Sequence, residues 1–192
     1  MRNDKGLKDW IYITNFDNTA RYALGIEGAN PLVCIGVNPS TASPENLDAT
    51  IHSVRNIAGA KGYEGWIMLN LYPQRSTKPD DVALEKEKGL YDTNIEVIRT
   101  ILYKYKPTLW AAWGTFISKR LFFYDTLEEI YVISKSTRCP IVNYGPLTNE
   151  GHPRHPLYQG VQKEFQQFNL NGYLTRNNGY HDTSENFTSK IY

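Results

Sequence analysis

The chain has 192 residues, with 41% apolar and 13% aromatic side chains, which suits one globular domain with a substantial buried core. Its formal net charge of +1 excludes a strong global field for nucleic acid, so any such contact is a local patch with a small footprint. No apolar run approaches the roughly 20 residues of a membrane helix, and the polar, charged start from Met1 to Gly6 argues against a signal peptide. A cytoplasmic, reducing setting follows as the expectation. Cys34 and Cys139 both fall in apolar runs and read as small core hydrophobes.

Residues 10–26 read as an antiparallel hairpin around the turn residues Asp17-Asn18, placed at an edge or one end of a sheet. Pro31 to Thr41, PLVCIGVNPST, follows. Leu32-Val33-Cys34-Ile35 has the unbroken apolar character of a strand buried on both faces. Gly36, Asn38 and Pro39 stop it, and Ser40, Thr41 and Ser43 lead into a helix. Ser43-Pro44-Glu45 is a start signal, and Leu47, Ile51, Val54, Ile57 and Ala58 recur at helical spacing until Gly59 and Gly62. Gly65 to Leu71 is a second apolar strand, closed by Asn70 and by the polar loop Tyr72 to Thr77. Residues 79–90 are charged and read as a short surface helix or a loop. Asp92 or Thr93 caps a stronger helix that Pro107 ends. Thr108 to Trp113 is a third strand, closed by Gly114, and Thr115 to about Asp125 a helix. Residues 126–138 read either as that helix resumed or as a short strand at Ile130 to Ile133. Cys139 to Tyr144 is a fourth strand, Gly145 to Pro153 a loop, and 158–169 a last helix. From Asn171 the composition is rich in Asn, Gly, Thr and Ser and reads as a loosely ordered tail, 171–192, behind a single domain over 1–170 with its core at 31–169.

Strands alternating with helices from 31 to 145 predict an α/β three-layer sandwich on a central, mainly parallel, four-stranded sheet, with the N-terminal β-hairpin added. In such a sheet the strand carboxyl ends share an edge, where ligands bind. Asn38, Asn70, Trp113-Gly114 and Arg154-His155-Pro156 all arrive there. An Asn after a strand is usually a turn residue. Asn70 differs, because it sits inside an apolar run where its donors and acceptor need partners, structural or ligand. His155, between Arg154 and Pro156, is a surface histidine or a contact to an anion or base. Trp113 reads first as a core aromatic, and Asp48 first as a helix-stabilising acid. The four histidines lack metal-ligand spacing, and no GxGxxG, GxxxxGK[ST] or GxSxG occurs, so neither a metal nor a cofactor is expected.

NPSTA at Asn38 to Ala42, Asp48 with Thr50, Asn70-Leu71 with Arg75-Ser76-Thr77-Lys78-Pro79, Ala112-Trp113-Gly114 and Gly151 to Tyr158, in this order, resemble domain-of-unknown-function family 1643. Ala49 and Ser76 depart from that pattern, in which Pro and Ala are expected. More distantly, GVNPS, IMLN, AAWG and RHPLY resemble the order of motifs in the uracil-DNA glycosylase superfamily, without its second serine-proline element after the His-Pro loop. That resemblance implies a uracil-DNA-glycosylase-like fold and hydrolysis of an N-glycosidic bond. It implies that Asn38 positions a water, Asn70 reads a base edge and His155 donates to the base oxygen where negative charge develops. Tyr72 would stack on the base, and Arg75 and Arg154 would contact phosphate, while Gly36, Pro39, Ser40 and Thr41 offer a turn that cradles the ligand. The partner is then a nucleobase, a nucleotide or a nucleic acid with a small footprint. A non-catalytic nucleotide or modified-base binding protein is the second reading, and a different hydrolase or transferase on the same fold the third.

Overall fold

The computed structural model of the chain describes residues 10–157 and 159–178. β1 (Trp10–Thr14) and β2 (Arg21–Ile26) form the antiparallel hairpin. Its turn is held by Asp17, whose carboxylate accepts from the amide and the hydroxyl of Thr19 at 3.3 and 2.8 Å. β3 (Pro31–Gly36) and β4 (Gly65–Asn70) are buried at every position, as expected of strands covered on both faces. β5 (Thr108–Ala111) and β6 (Ile141–Tyr144) follow, and β7 (Phe165–Gln167) completes the sheet. β3 runs parallel to β4 and β5, and β5 parallel to β6. β2 pairs antiparallel with β4, and β7 antiparallel with β6. The result is one mixed sheet of seven strands, in the order β1-β2-β4-β3-β5-β6-β7, where the sequence predicts four central strands with a hairpin added.

Alternation along the strands sets the two faces. Leu32, Cys34, Trp66, Met68 and Trp110 meet α1 (Ala49–Ala60) through Ile51, Val54, Ile57 and Ala58. Val33, Ile35, Ile67 and Leu69 share the opposite core with α2 (Lys88–Tyr105), α3 (Phe122–Thr137) and α4 (Leu170–Asn178). Helices on both faces make the arrangement compatible with a three-layer α/β sandwich. Both cysteines are free and buried.

Several boundaries differ from those read in the sequence. Ser43 and Asn46 exchange two backbone hydrogen bonds of 3.1 Å in a small turn, so Ser43 does not start the helix. The cap is Asp48, in extended conformation, whose carboxylate accepts from Ile51 N at 2.8 Å. The first buried residue of the helical stripe is Ile51, and the acid three positions before it satisfies an open N–H. α2 begins at Lys88 and not at Asp92 or Thr93, because the Tyr72 hydroxyl accepts from Glu87 N at 2.9 Å and takes over the capping. A 3-10 turn covers Pro79–Asp81. A second 3-10 segment, Gly114–Lys119, precedes α3. α3 resolves the ambiguity at 126–138 as helix, with Leu127, Ile130 and Ile133 buried on one side. The helix expected at 158–169 is replaced by β7, and a helix stands at the start of the expected tail. Asn169 caps it, accepting from Gly172 N at 2.9 Å, and Leu170, Tyr173 and Leu174 enter the core at helical spacing. Tyr158 and residues 179–192 lie outside the described residues. Among the described residues no helix is long and apolar enough to cross a membrane.

Candidate functional site

β3 ends at Gly36, and the chain then turns through Val37, Asn38 and Pro39. Backbone bonds tie this turn to the segment after β4: Leu71 N to Gly36 O and Tyr72 N to Val37 O, both 2.9 Å, and Ser76 N to Pro39 O, 2.8 Å. The Asn38 amide is oriented by donating Nδ2 to Ser76 O at 3.1 Å and Pro39 O at 3.2 Å. Its Oδ1 accepts no hydrogen bond among the described residues.

Beyond this edge lies a cavity of about 500 Å³. Of the residues singled out in the sequence, Gly36, Asn38, Ser40, Asp48, Trp113 and His155 line it. They come from the turn after β3, the first turn of α1, the end of β5 and the loop after β6. Asp48 commits one oxygen to the cap of α1, and its second has no hydrogen-bond partner among the described residues.

Asn70 is not among the described residues that line the cavity; it lies behind Gly36, which is. It is the last residue of β4 and pairs across the ladder with Gly36. It is 1% exposed, and neither Nδ2 nor Oδ1 has a hydrogen-bond partner among the described residues. A Cβ built on Gly36 would stand 3.1 Å from Asn70 Oδ1 and 2.5 Å from Met68 Cε. Glycine at 36 therefore keeps the gap between amide and cavity free of a side chain.

The His155 loop is fixed from two sides. Gly114, with φ 64°, donates its N–H to Pro153 O at 2.9 Å and meets His155 Cβ. Ser53 of α1 donates to Pro156 O at 2.6 Å. The Leu157 amide donates to His155 Nδ1 at 3.3 Å, so the neutral ring carries its proton on Nε2. Burial pushes the imidazole below its ordinary value, and the nearby Asp48 charge opposes that shift. At neutral pH the ring is an uncharged Nε2–H donor.

Arg21 and Phe116 are among the lining residues that sequence reasoning did not single out as site residues. Arg21 opens β2, is 1% exposed, and lines the cavity. It donates Nη1 to Ala42 O at 3.1 Å, while Nε has no partner. Burial, followed by the charge of Arg75, lowers it to about 10, and Asp48 opposes; it remains a cation at neutral pH. The signal was present as a charged residue opening an otherwise apolar strand, RYALGI. Phe116, on the 3-10 segment after β5, is 40% exposed at the cavity rim. No sequence pattern separates it from neighbouring surface residues.

Four expected contacts lie elsewhere. Tyr72 is packed on Phe122 at 4.9 Å in the core of the α2–α4 side, so its ring does not face the cavity. Arg75 spends its guanidinium on Ser40 O, Ala42 O, the Tyr12 hydroxyl and Asn18 Oδ1, a clamp between the hairpin and the turn after β3. Arg154 donates Nε to Pro146 O at 3.0 Å outside the lining. Thr41 is exposed and also outside it. Pro39 is buried and serves through its carbonyl. Trp113 touches the cavity, but its ring belongs to the core, with Nε1 donating to the Tyr173 hydroxyl at 3.2 Å. Among the described residues no group of three or more His, Cys, Asp and Glu is placed to hold a metal ion.

A family model described as protein of unknown function (DUF1643) matches residues 21–157. The chain belongs to this family. The DUF1643 match begins at Arg21 and ends at Leu157, the first and last residues of the cavity lining. No curated protein and no solved structure matches the chain.

Proposed function

We propose that this DUF1643 protein binds a nucleobase-bearing ligand in the cavity and hydrolyses its N-glycosidic bond. The observation that carries the reading is the Asn70 amide, buried behind Gly36 of the lining with neither donor nor acceptor partnered among the described residues. A primary amide in that state matches the adjacent C=O and N–H of a nucleobase edge, which returns one bond for each. A buried polar group left unpaired calls for an explanation, and a bound ligand would supply the missing partners here. Phe116 at the rim offers the base an aromatic face.

The reaction follows from the neighbours. Water adds through its oxygen to the anomeric carbon as the carbon–nitrogen bond breaks, and the bonding pair leaves with the base. Asn38 accepts a hydrogen bond from that water through Oδ1; an amide cannot take its proton. The open oxygen of Asp48 takes it and balances the positive charge that develops on the sugar. His155 Nε2–H donates to the base oxygen, where the negative charge collects. One preorganised donor of this kind contributes roughly 3 kcal/mol to the barrier.

The test is release of free base, measured by chromatography, from a panel of nucleosides, nucleotides and uracil-containing, damaged and modified oligonucleotides. The reading expects release from at least one substrate, lost in Asp48→Asn and Asn70→Ala. Binding without release at long times would leave a nucleotide-binding protein; neither binding nor release from any of them would remove the reading altogether.

A further inference from the structure

We propose that the ligand of this cavity is a free nucleoside monophosphate, whose terminal phosphate is bound by Arg21. This deepens the reading above and rests on its assignment of a nucleobase to Asn70. Arg21 is a guanidinium with 1% exposure and no carboxylate within ion-pairing distance among the described residues. Its Nη1 donates to Ala42 O, its Nε donates to nothing, and its side chain borders the cavity. The Asp48 charge favours the guanidinium from a distance without pairing to it, and an anion bound directly to Arg21 would offset the remaining cost of its burial.

A second positive charge stands behind it. Arg75 Nη1 donates to the same Ala42 carbonyl at 3.2 Å, so two guanidinium groups converge on one oxygen. Arg75 has its donors committed and contributes its field, while Arg21 Nη2 makes no hydrogen bond among the described residues. Asp48 is the opposing charge in the lining, and His155 is neutral at pH 7. Arg21 and Asp48 balance within the lining, and Arg75 behind it makes the surplus positive at that wall. A phosphate monoester carries close to two negative charges and matches the planar fork of an arginine. The Ser40 hydroxyl, in the same lining, has no partner among the described residues and can add a donor.

The monoester is favoured over a polymer by what surrounds Arg21. A phosphodiester carries one charge and continues in two directions, so it needs an open basic track. Arg21 is the only basic residue among the described lining residues, and the others beside the turn, Ser40, Ser76 and Thr77, are neutral. A volume of about 500 Å³ lies within the range of small-ligand pockets.

Calorimetric titration of the protein with the common nucleosides, their 5′-monophosphates and short single-stranded oligonucleotides tests this. At least one monophosphate should bind ten-fold or more tightly than its nucleoside, and more tightly than an oligonucleotide of the same base. Inorganic phosphate should compete with the monophosphate and not with the nucleoside. Arg21→Gln should abolish the preference and Arg21→Lys should keep part of it; should neither variant fold, the comparison of ligands on the unaltered protein still decides. Equal affinity for nucleoside and monophosphate, or a preference that survives in Arg21→Gln, overturns the assignment to Arg21 and leaves the nucleobase reading standing. Tighter binding of oligonucleotides overturns the monomeric ligand. No binding of any nucleoside, nucleotide or oligonucleotide overturns both.

Discussion

Replacing Asn70 by Leu should make the free protein more stable while removing its ligand. The side chain is 1% exposed, and both Nδ2 and Oδ1 lack hydrogen-bond partners. Leaving a buried polar group unpaired costs about 1–3 kcal/mol. Taking the low end for each of the two atoms, the amide destabilises the fold by about 2 kcal/mol. Leucine has nearly the same branched shape and carries no polar atom, so volume-conserving exchange keeps the strain against Gly36 and Met68 small. For a chain of this size 1 kcal/mol corresponds to about 2–4 °C, so Asn70→Leu should raise the Tm by about 4–8 °C. Differential scanning calorimetry on both proteins, with denaturant unfolding as a check on the slope, measures it. A fall in Tm of similar size would refute the reasoning, because it would mean that the amide is satisfied in the free protein and serves the fold. A rise in Tm with nucleotide binding intact would separate the amide from the ligand and refute its role in recognition.

Arg75→Lys should lower stability by about 2–3 kcal/mol, since a lysine cannot reproduce the fork that holds the hairpin to the turn after β3; urea unfolding measures this. Tyr173→Phe removes the hydroxyl that accepts from Trp113 Nε1 and meets His152 Nδ1 at 2.7 Å. It should cost about 1–3 kcal/mol by leaving the buried indole N–H unpaired, and an unchanged Tm would place α4 outside the cooperative core. Stability should also fall in acid. Burial holds both His152 and His155 below their ordinary 6.5, so the unfolded chain binds protons more readily than the folded one. Their contribution is complete above about pH 6.5 and is lost as the pH falls through and below that value. A Tm that is flat between pH 7 and 5 would contradict this.

The parts of this architecture that could be read in advance are those with strong local signals. Unbroken apolar runs marked β3 and β4, and the Asn and Gly residues that stop them marked the edge where the cavity lies. Asn38 and His155 stood out as polar residues beyond buried strands, and Asp48 through the family resemblance; all three line the cavity. What was missed depended on tertiary partners. β7 is three residues long and exists because β6 offers an open edge. α4 was hidden by an Asn- and Gly-rich composition, although Asn169, Leu170, Tyr173 and Leu174 carry a cap and a helical stripe. Tyr72 and Arg75 lie next to Asn70 in sequence, but strand alternation and the loop that follows send them away from the cavity. Arg21 reaches it from the hairpin at the start of the described chain, through pairing of β2 with β4 that no local pattern announces.

The central claim is that the Asn70 amide reads a nucleobase. A crystal structure of the protein soaked with a mixture of nucleobases and nucleoside monophosphates tests it most directly. The account predicts a base whose carbonyl and N–H face Asn70 Nδ2 and Oδ1, with Asn38, Asp48 and His155 around the glycosidic bond. A base seated elsewhere, or a cavity that stays empty while Asn70 bonds only to ordered water, would contradict it.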